Sequence, residues 1–458
     1  MDDALYAKRS PSVAAVTMGC KLNYSETSAI LDRLSAEGWK LSSLDAGADM
    51  IIIHTCSVTS QAEQKCRQKI RRIIRRHPES VVVVIGCYAQ LQPALLAGIK
   101  GVAAVLGSSD KFVTATYREL LDQKQTFPLA RVSDIGSTET VFPGYSLSVD
   151  EGEARTRAFL KIQDGCDYAC AYCTIPHARG RSRSLPSEEL VARARSLAFS
   201  GYREIVLTGV NIGDYRGHAS GLVGLLRMLE DVSVDRIRIS SLEPDILDDE
   251  LIETVAASKK ITPHFHVPLQ SGSDSILKAM RRRYTTESYR EKLVRAVGAI
   301  SDCAIGADVI AGYPGESEED FMQMYRFIEG LPIAYLHVFT CSVRPGTVLA
   351  AQLAADERRL PSPVELDRRS RLLIELGKRK TEEYSGKFIG RECEILVEAS
   401  LREKSGRLVC SGYTAHYLHV TAEAGCFEGN TADLKGRLLP VRIAHMDDDL
   451  NLHGRLLF

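Results

Sequence analysis

The sequence predicts an α/β protein in three parts: an N-terminal open α/β sheet over residues 10–130, a central, partial parallel (β/α) barrel over 151–384, and a small all-β barrel over 385–458. Three observations lead there. Two successive series of short Val- and Ile-rich runs alternate with helical patterns, a Gly/Ser/Thr/Pro-containing linker at 131–150 separates them, and helical periodicity vanishes beyond Lys387. The length agrees, since 458 residues at roughly 150 per domain make about three domains.

In the first series, SVAAVT from Ser12, MIIIHT from Met50, VVVVIG from Val81 and GVAAVLG from Gly101 read as buried parallel strands. The clearest helix between them has Ser25 as N-cap, Glu26 in its first turn, apolar Ile30, Leu31 and Leu34, and a stop at Gly38. Open α/β sheets gather ligands beyond the carboxyl ends of their strands. Cys20, Cys56 and Cys87 each follow one of these strands within a few residues, which brings three thiols to one sheet edge as a shared metal site. The second series offers RAFLKIQ from Arg157, EIVLTGV from Glu204, RIRISSL from Arg236, HFHVPL from His264, AIGADVIAGY from Ala304 and YLHVFT from Tyr335. Helical stretches lie around 187–200, 222–231, 246–257, 274–300 and 317–330. Such βα units build a parallel barrel with its site at the C-terminal strand ends. A polar helix around Val364 to Tyr384 leads on to ECEILVE, RLVCSGYT, YLHVTAE, GRLLPVRIAHM and LHGRLLF. These short strands fit a five-stranded barrel of the kind that binds oligonucleotides.

A hydrophobic share of 45% with 26% charged residues is that of a folded globular chain. The longest apolar runs, such as Val81 to Ile85, fall far below the roughly 18 residues of a membrane span, and the leader Met1 to Pro11 is polar. No membrane segment and no secretory signal are read, so the expected location is cytoplasmic. There the twelve cysteines are kept as thiols for metal or redox chemistry. A net charge of −1, from 58 Lys+Arg against 59 Asp+Glu, excludes a globally basic nucleic-acid coat, so an anionic partner must be met by local patches. Lys65 to Arg76 is one, although a solvated face over the stripe Ile70, Ile73 and Ile74 is its plainer reading. His177 to Arg183 and Arg281 to Arg283 are shorter clusters. The last domain adds Arg402, Lys404, Arg407 and Lys435.

The sharpest signal is Cys166-Asp-Tyr-Ala-Cys170-Ala-Tyr-Cys173, a C-x3-C-x2-C on the loop after the first barrel strand. Three thiolates so close hold three irons of a cubane and leave the fourth without a protein ligand. Structural zinc is the alternative, but it wants four ligands, and His177 is the only nearby candidate for the fourth. Two sets of three thiols thus predict two 4Fe-4S clusters. Cys66, Cys303, Cys341, Cys393, Cys410 and Cys426 show no paired short spacing and read as structural thiols.

The C-x3-C-x2-C loop resembles that of the radical S-adenosylmethionine superfamily, in which the methionine amine and carboxylate of S-adenosyl-L-methionine chelate the open iron. The resemblance implies cofactor contacts at Tyr172 beside the adenine, at Gly209 and Asn211 of LTGVNIGDY, at Ser241 and Glu243 of SSLEP, at Gln270 of HVPLQSGS and at Ile310 of GADVIAGYPGE. For Ser241, Glu243 and Gln270, ordinary structural hydrogen bonding is an equal alternative. Cys20, Cys56 and Cys87, the C-x3-C-x2-C and the β module after Lys387 together resemble the methylthiotransferases, with a cluster domain, a radical barrel and a TRAM module over nearly the whole chain. GCKLN at Cys20, TCSVTSQAEQK from Thr55 and LTGVNIGDY are most similar to the branch that methylthiolates C2 of N6-threonylcarbamoyladenosine at position 37 of tRNA anticodon loops. The branches acting on isopentenyladenosine, with GCQMN at the first site, and on a ribosomal-protein aspartate are the alternatives within the family. A non-catalytic iron-sulfur RNA-binding protein is the alternative outside it. The resemblance also implies an electron donor such as flavodoxin or ferredoxin, and a sulfur donor. One residue departs from the family pattern: His54, where asparagine is usual. A satisfied strand-end histidine is favoured there over a hydrogen bond to a cluster sulfide. Arg179, Arg181 and Arg183, just after the radical loop, are candidates for the carboxylate of threonylcarbamoyl, with phosphate contact as the alternative.

Overall fold

The computed structural model describes residues 10–122, 128–146, 156–356, 358–402, 408–424 and 434–457. Lys404, Arg407 and Cys426, with part of the expected linker and the start of the expected barrel domain, lie outside them. The first series folds as a six-stranded parallel sheet of β1 (Ser12–Thr17), β2 (Lys40–Leu41), β3 (Met50–Thr55), β4 (Val81–Gly86), β5 (Val102–Leu106) and β6 (Leu129–Arg131), in the order β2-β1-β3-β4-β5-β6. Its central strands are continuous apolar runs because both faces are covered. Ile51, Ile53, Val82 and Val84 pack on Ile70 and Ile73 of the helix Ser60–Arg76, while Met50, Ile52, Val83 and Ile85 pack on Ile30, Leu34 and Trp39. The basic run from Lys65 is thus, as its plainer reading had it, one face of a helix over a buried isoleucine stripe.

The first helix starts earlier than expected, at Lys21, with Cys20 in the cap position. Ser25 is no cap; it is buried in the second turn, where its hydroxyl donates to the Leu22 carbonyl at 2.9 Å. Gly38 ends the helix with φ 86°, as its lack of a Cβ permits.

The second series contributes β7 (Arg157–Lys161), a short antiparallel pair β8 (Gln163–Asp164) and β9 (Arg183–Ser184), β10 (Glu204–Thr208), β11 (Arg236–Ile239), β12 (His264–His266), β13 (Ala304–Ala311) and β14 (Tyr335–Thr340). Two parallel sheets, β7-β10-β11 and β12-β13-β14, join through the bridges Ile237 to Ile261 and Ser241 to His266, giving an open six-stranded arc. One continuous apolar core lies between this arc and its helices. The helix expected over 274–300 is two helices, Asp274–Ala279 and Thr286–Ala299. Between them Arg281 takes φ 60°, and Thr285 opens the second helix with a capping box to Ser288.

The end of the expected linker is itself packed. Tyr145 bridges antiparallel to Leu160 of β7, Lys161 donates to the Gly144 carbonyl at 2.7 Å, and Tyr145 donates to the Ser25 carbonyl at 3.0 Å. The N-terminal sheet is thereby docked on the first barrel strand. After the helix Pro363–Gly386, β15 (Glu392–Arg402), β16 (Leu408–Thr414), β17 (His419–Ala424), β18 (Leu438–Met446) and β19 (Leu452–Leu456) close a barrel in the order β15-β16-β17-β19-β18. It is seated on the central barrel by Arg236 and Arg238, whose guanidiniums donate to the carbonyls of Tyr413, Glu394, Ala415 and Thr414.

Candidate functional site

Cys20, Cys56 and Cys87 follow β1, β3 and β4, which are neighbours in the sheet. Adjacent strands run about 4.8 Å apart, so three thiols at their C-terminal ends share one small volume. The turns make room for them. A Cβ on Gly19 would come within 3.3 Å of the Cys56 Cβ, and one on Gly86, at φ 104°, would strike the Thr55 carbonyl at 2.5 Å. Burial, with the charge of Cys87 and Cys20 added, pushes the Cys56 thiol up to about 12.

Cys166, Cys170 and Cys173 occupy the loop between β8 and the short helix Ile175–Arg179. Each sulfur receives one N–H donor: Tyr168 N to Cys166 Sγ at 3.4 Å, Ile175 N to Cys173 Sγ at 3.5 Å, and Arg282 Nη1 to Cys170 Sγ at 3.1 Å. Burial raises Cys166 to about 11 and Cys173 to about 12. A metal bound there would have to drive the protons off. Gly165, at φ 72°, lets the loop pass the backbone of Arg181, which a Cβ would meet at 1.9 Å. His177 is exposed and adds no fourth buried ligand.

The residues beside this loop fit S-adenosylmethionine. Asn211 is 3% exposed, yet neither its Nδ2 nor its Oδ1 has a partner, which marks a ligand-facing amide. Gly209 admits a close approach, since a Cβ would lie 2.8 Å from Ile212 and 2.9 Å from Gln163 Oε1. Sequence reasoning missed Gln163, whose Oε1 accepts from the amides of Val210 and Asn211 and so ties that turn to the cysteine loop. Tyr172 and Ile310 meet in one apolar cluster with Met280, Tyr313 and Leu349, a flat-sided lining suited to an adenine. Gln270 takes φ 66° and forms a bridge to Val309, with its amide on the Asp308 carbonyl.

Two expected contacts are already engaged. Ser241 Oγ is 2.7 Å from His266 Nδ1, and Glu243 pairs with Arg282. Arg282, also missed from sequence, links Glu243, Cys170 and the Tyr284 hydroxyl.

Arg179 is a correction. Rather than facing a substrate, its guanidinium is 2% exposed and fully used. It donates to Glu26 at 2.9 and 3.1 Å, Asp164 at 3.0 Å, Asn23 at 2.7 Å and Cys87 Sγ at 3.2 Å. Lys111 and Lys161 complete the same buried network on Glu26 and Asp164. Arg183 is half-buried with its two terminal nitrogens on the carbonyls of Thr138 and Arg179, while its Nε has no partner. Arg181 alone of the three keeps an exposed side chain, at 83%. His54 is buried against Thr27 Oγ1 at 2.8 Å and Lys111 at 3.4 Å, a satisfied histidine as the residues suggested.

The barrel and its cysteine loop define a radical S-adenosylmethionine enzyme. Residues 160–328 match the Radical SAM superfamily, and residues 12–107 match Uncharacterized protein family UPF0004. The chain is 38% identical over 94% of its length to the threonylcarbamoyladenosine tRNA methylthiotransferase MtaB of Bacillus subtilis (strain 168), covering 93% of that protein. It is 37% identical to the MtaB of Aquifex aeolicus (strain VF5), over 84% of this chain and 92% of that one. It is 32% identical to the tRNA-2-methylthio-N(6)-dimethylallyladenosine synthase of Anaeromyxobacter dehalogenans (strain 2CP-C), over 93% and 90%. The chain belongs to the radical S-adenosylmethionine methylthiotransferase family and is an enzyme of it. The fold also resembles the radical S-adenosylmethionine methyltransferase TsrM of Kitasatospora setae, with a TM-score of 0.59, 16% identity and 76% of each chain covered. Among the described residues, no helix is long and apolar enough to cross a membrane.

Proposed function

We propose that the protein methylthiolates C2 of N6-threonylcarbamoyladenosine at position 37 of tRNA anticodon loops. The observation that carries the branch is the 38% identity to a threonylcarbamoyladenosine enzyme, against 32% for a dimethylallyladenosine enzyme over a similar share of the chain. Bound to the two cysteine sets, 4Fe-4S clusters with S-adenosylmethionine would supply the radical chemistry that an aromatic C–H bond requires and would carry the sulfur to be methylated, chemistry beyond any side chain.

The chain's own residues hold and aim. Asn211, beside Gly209, offers an unpaired amide to the methionyl end of the cofactor, while Tyr172 and Ile310 flank its adenine. Arg282 orients Cys170 through the 3.1 Å contact and fixes Glu243 beside it. Arg179 holds Cys87 to the segment that follows Cys173, which keeps the two cysteine sets facing one space. The adenine must leave its stack to enter that space, which suits a single-stranded loop better than a duplex. The C-terminal barrel grips the RNA. A cytoplasmic setting, a reductant such as flavodoxin or ferredoxin and a separate sulfur donor complete the reading. The test is mass analysis of products from purified enzyme on tRNAs bearing threonylcarbamoyladenosine, isopentenyladenosine or adenosine. Equal or better turnover of the isopentenyl substrate overturns it.

A further inference from the structure

Lys21, next to Cys20, reaches from the N-terminal domain toward the C-terminal barrel, where its ammonium lies 5.5 Å from the centroid of the Tyr417 ring. Among the described residues it has neither an ion pair nor a hydrogen bond. Of the cations near it, Arg238 forks onto Glu204, and Arg157 pairs with Glu398 at 2.8 Å while its buried Nη1 has no partner. Lys21 is the one of the three without an ion pair.

Its surroundings are aromatic. The Tyr417 ring lies 6.2 Å from Tyr335 and 4.8 Å from His264. Lys21, Tyr335 and Tyr417 are each half-buried. Two details belong to a ligand clamp rather than to a core. His264 is 3% exposed and its Nε2 meets the Tyr335 hydroxyl at 2.9 Å, yet its Nδ1 has no partner. Tyr417 takes φ 65°, a left-handed conformation that a bulky residue adopts only under constraint. Burial pushes the Tyr417 phenol up, but Lys21, Arg157 and Arg238 together hold it below its usual value, which marks the space as electropositive.

A chain of contacts links this space to both cysteine sets. Lys21 adjoins Cys20 on one side. On the other, Tyr335 stacks on His266 at 6.1 Å, His266 bonds Ser241, and two residues further Glu243 holds Arg282 against Cys170.

We propose that this pocket receives the carboxylate-bearing substituent on N6 of the substrate adenosine, with the Lys21 ammonium as carboxylate partner and Tyr335 and Tyr417 flanking the chain. The proposal rests on the reading of the base as threonylcarbamoyladenosine. An ammonium that no protein carboxylate neutralises is paired by an incoming anion. A hydrocarbon substituent would leave it unpaired and desolvated, so the same side chain that favours a carboxylate disfavours isopentenyl.

The test uses the iron-loaded full-length protein and anticodon stem-loops carrying threonylcarbamoyladenosine, its neutral carboxamide analogue, isopentenyladenosine or adenosine. Dissociation constants are read by fluorescence anisotropy, after iron content has been measured. Wild-type protein should lose roughly ten- to a hundredfold in affinity from carboxylate to carboxamide, the range of a hydrogen bond to a charged group. Lys21→Gln should bind the two alike, and Lys21→Arg should restore most of the difference. Equal binding of carboxylate and carboxamide by wild-type protein overturns the pocket without any variant. So does an iron-loaded Lys21→Gln protein that keeps the full carboxylate preference; if wild-type protein turns over the threonylcarbamoyl substrate best, the substrate reading then stands alone. If wild-type protein instead prefers isopentenyladenosine, the substrate reading fails and takes the pocket with it.

Discussion

Arg179→Ala tests whether the two cysteine sets are held together by buried charge. Three cations, Lys111, Lys161 and Arg179, hydrogen-bond two carboxylates, Glu26 and Asp164, and Arg183 adds a fourth at 3.9 Å from Asp164. The excess positive charge has the Cys87 sulfur beside it, 3.2 Å from Arg179, and a metal-ligating cysteine is a thiolate, so that ligand in its metal-binding form lowers the excess. Burial works against the ionised carboxyl of Glu26, but Arg179, Lys111 and Lys161 hold it well below the usual range. Removing one member of a buried pair costs about 3–5 kcal/mol. Lys161 still reaches both carboxylates, which puts the expected loss near the lower end, about 3 kcal/mol. For the two docked domains unfolding as one unit of roughly 375 residues, at about 2.1 cal/mol/K each, that lowers the melting temperature by about 4 °C. Arg179→Lys keeps the charge and loses the fork, so it should recover only part of the loss. The assay is anaerobic calorimetry with iron counted in a Cys166/Cys170/Cys173→Ala background, where only the Cys20, Cys56 and Cys87 site remains. Arg179→Ala should lower both readings. A melting temperature within a degree or two of wild type and undiminished iron would refute the reasoning.

Replacing Cys166, Cys170 and Cys173 together by alanine should halve the roughly eight irons of two four-iron clusters and abolish cofactor cleavage; unchanged iron would sink the two-site assignment. Burial raises the Asp308 carboxyl, but His266 and His337 bring it down to about 2, so its stabilisation is full above the ordinary Asp value and fades as pH falls toward 2. That is worth about 2 kcal/mol of acid-limb loss, and urea titrations from pH 5 to 2.5 should show a shallower decline in Asp308→Asn than in wild type. Arg71 and Arg75 on the helix Ser60–Arg76 line a groove with Lys100, and if they contact tRNA phosphates, Arg71→Glu with Arg75→Glu should weaken binding and flatten its log–log salt slope by about 2. An unchanged slope returns that helix to a solvated face. Lys435, exposed on the C-terminal barrel, should lower the slope by about 1 when changed to glutamate.

Features carried by local pattern were legible. Strands buried on both faces announce themselves as runs such as Val81–Gly86, and alternation over Leu408–Thr414 announces a barrel strand. Thiols at short spacing, or each directly after a strand, point to one place in the fold before any contact is known. What failed depended on partners distant in sequence. Arg179 read as a substrate arginine because it stands among arginines, yet its partner Glu26 is 153 residues away. In the run Arg281 to Arg283, read as one basic cluster, the three residues part company: Arg281 breaks a helix at φ 60°, Arg282 reaches Cys170, and Arg283 stacks 3.9 Å over Tyr168. Ser25 looked like a cap because Glu26 follows it, but Glu26 is the centre of the buried network, and that demand puts both residues inside the helix.

That network explains why the junction between the two domains is polar where an apolar contact would be more stable. A buried ion pair seldom adds stability over well-packed hydrophobic residues, but it accepts few geometries. Two apolar faces tolerate small slides, whereas Arg179 satisfies Glu26, Asp164, Asn23 and Cys87 only in one placement. Arg179 lies six residues after Cys173, so that single placement sets the distance between the segment bearing the radical loop and the edge bearing Cys87. A reaction that joins a group carried at one site to a carbon activated at the other depends steeply on that distance, because losing an ångström of alignment costs on the order of a hundredfold in rate. The substitution that would separate these roles is Arg179→Met, which keeps the volume and removes the directional bonds. If the stability loss is offset by packing while methylthio transfer still falls relative to cofactor cleavage, the arginine is there for registry rather than for strength.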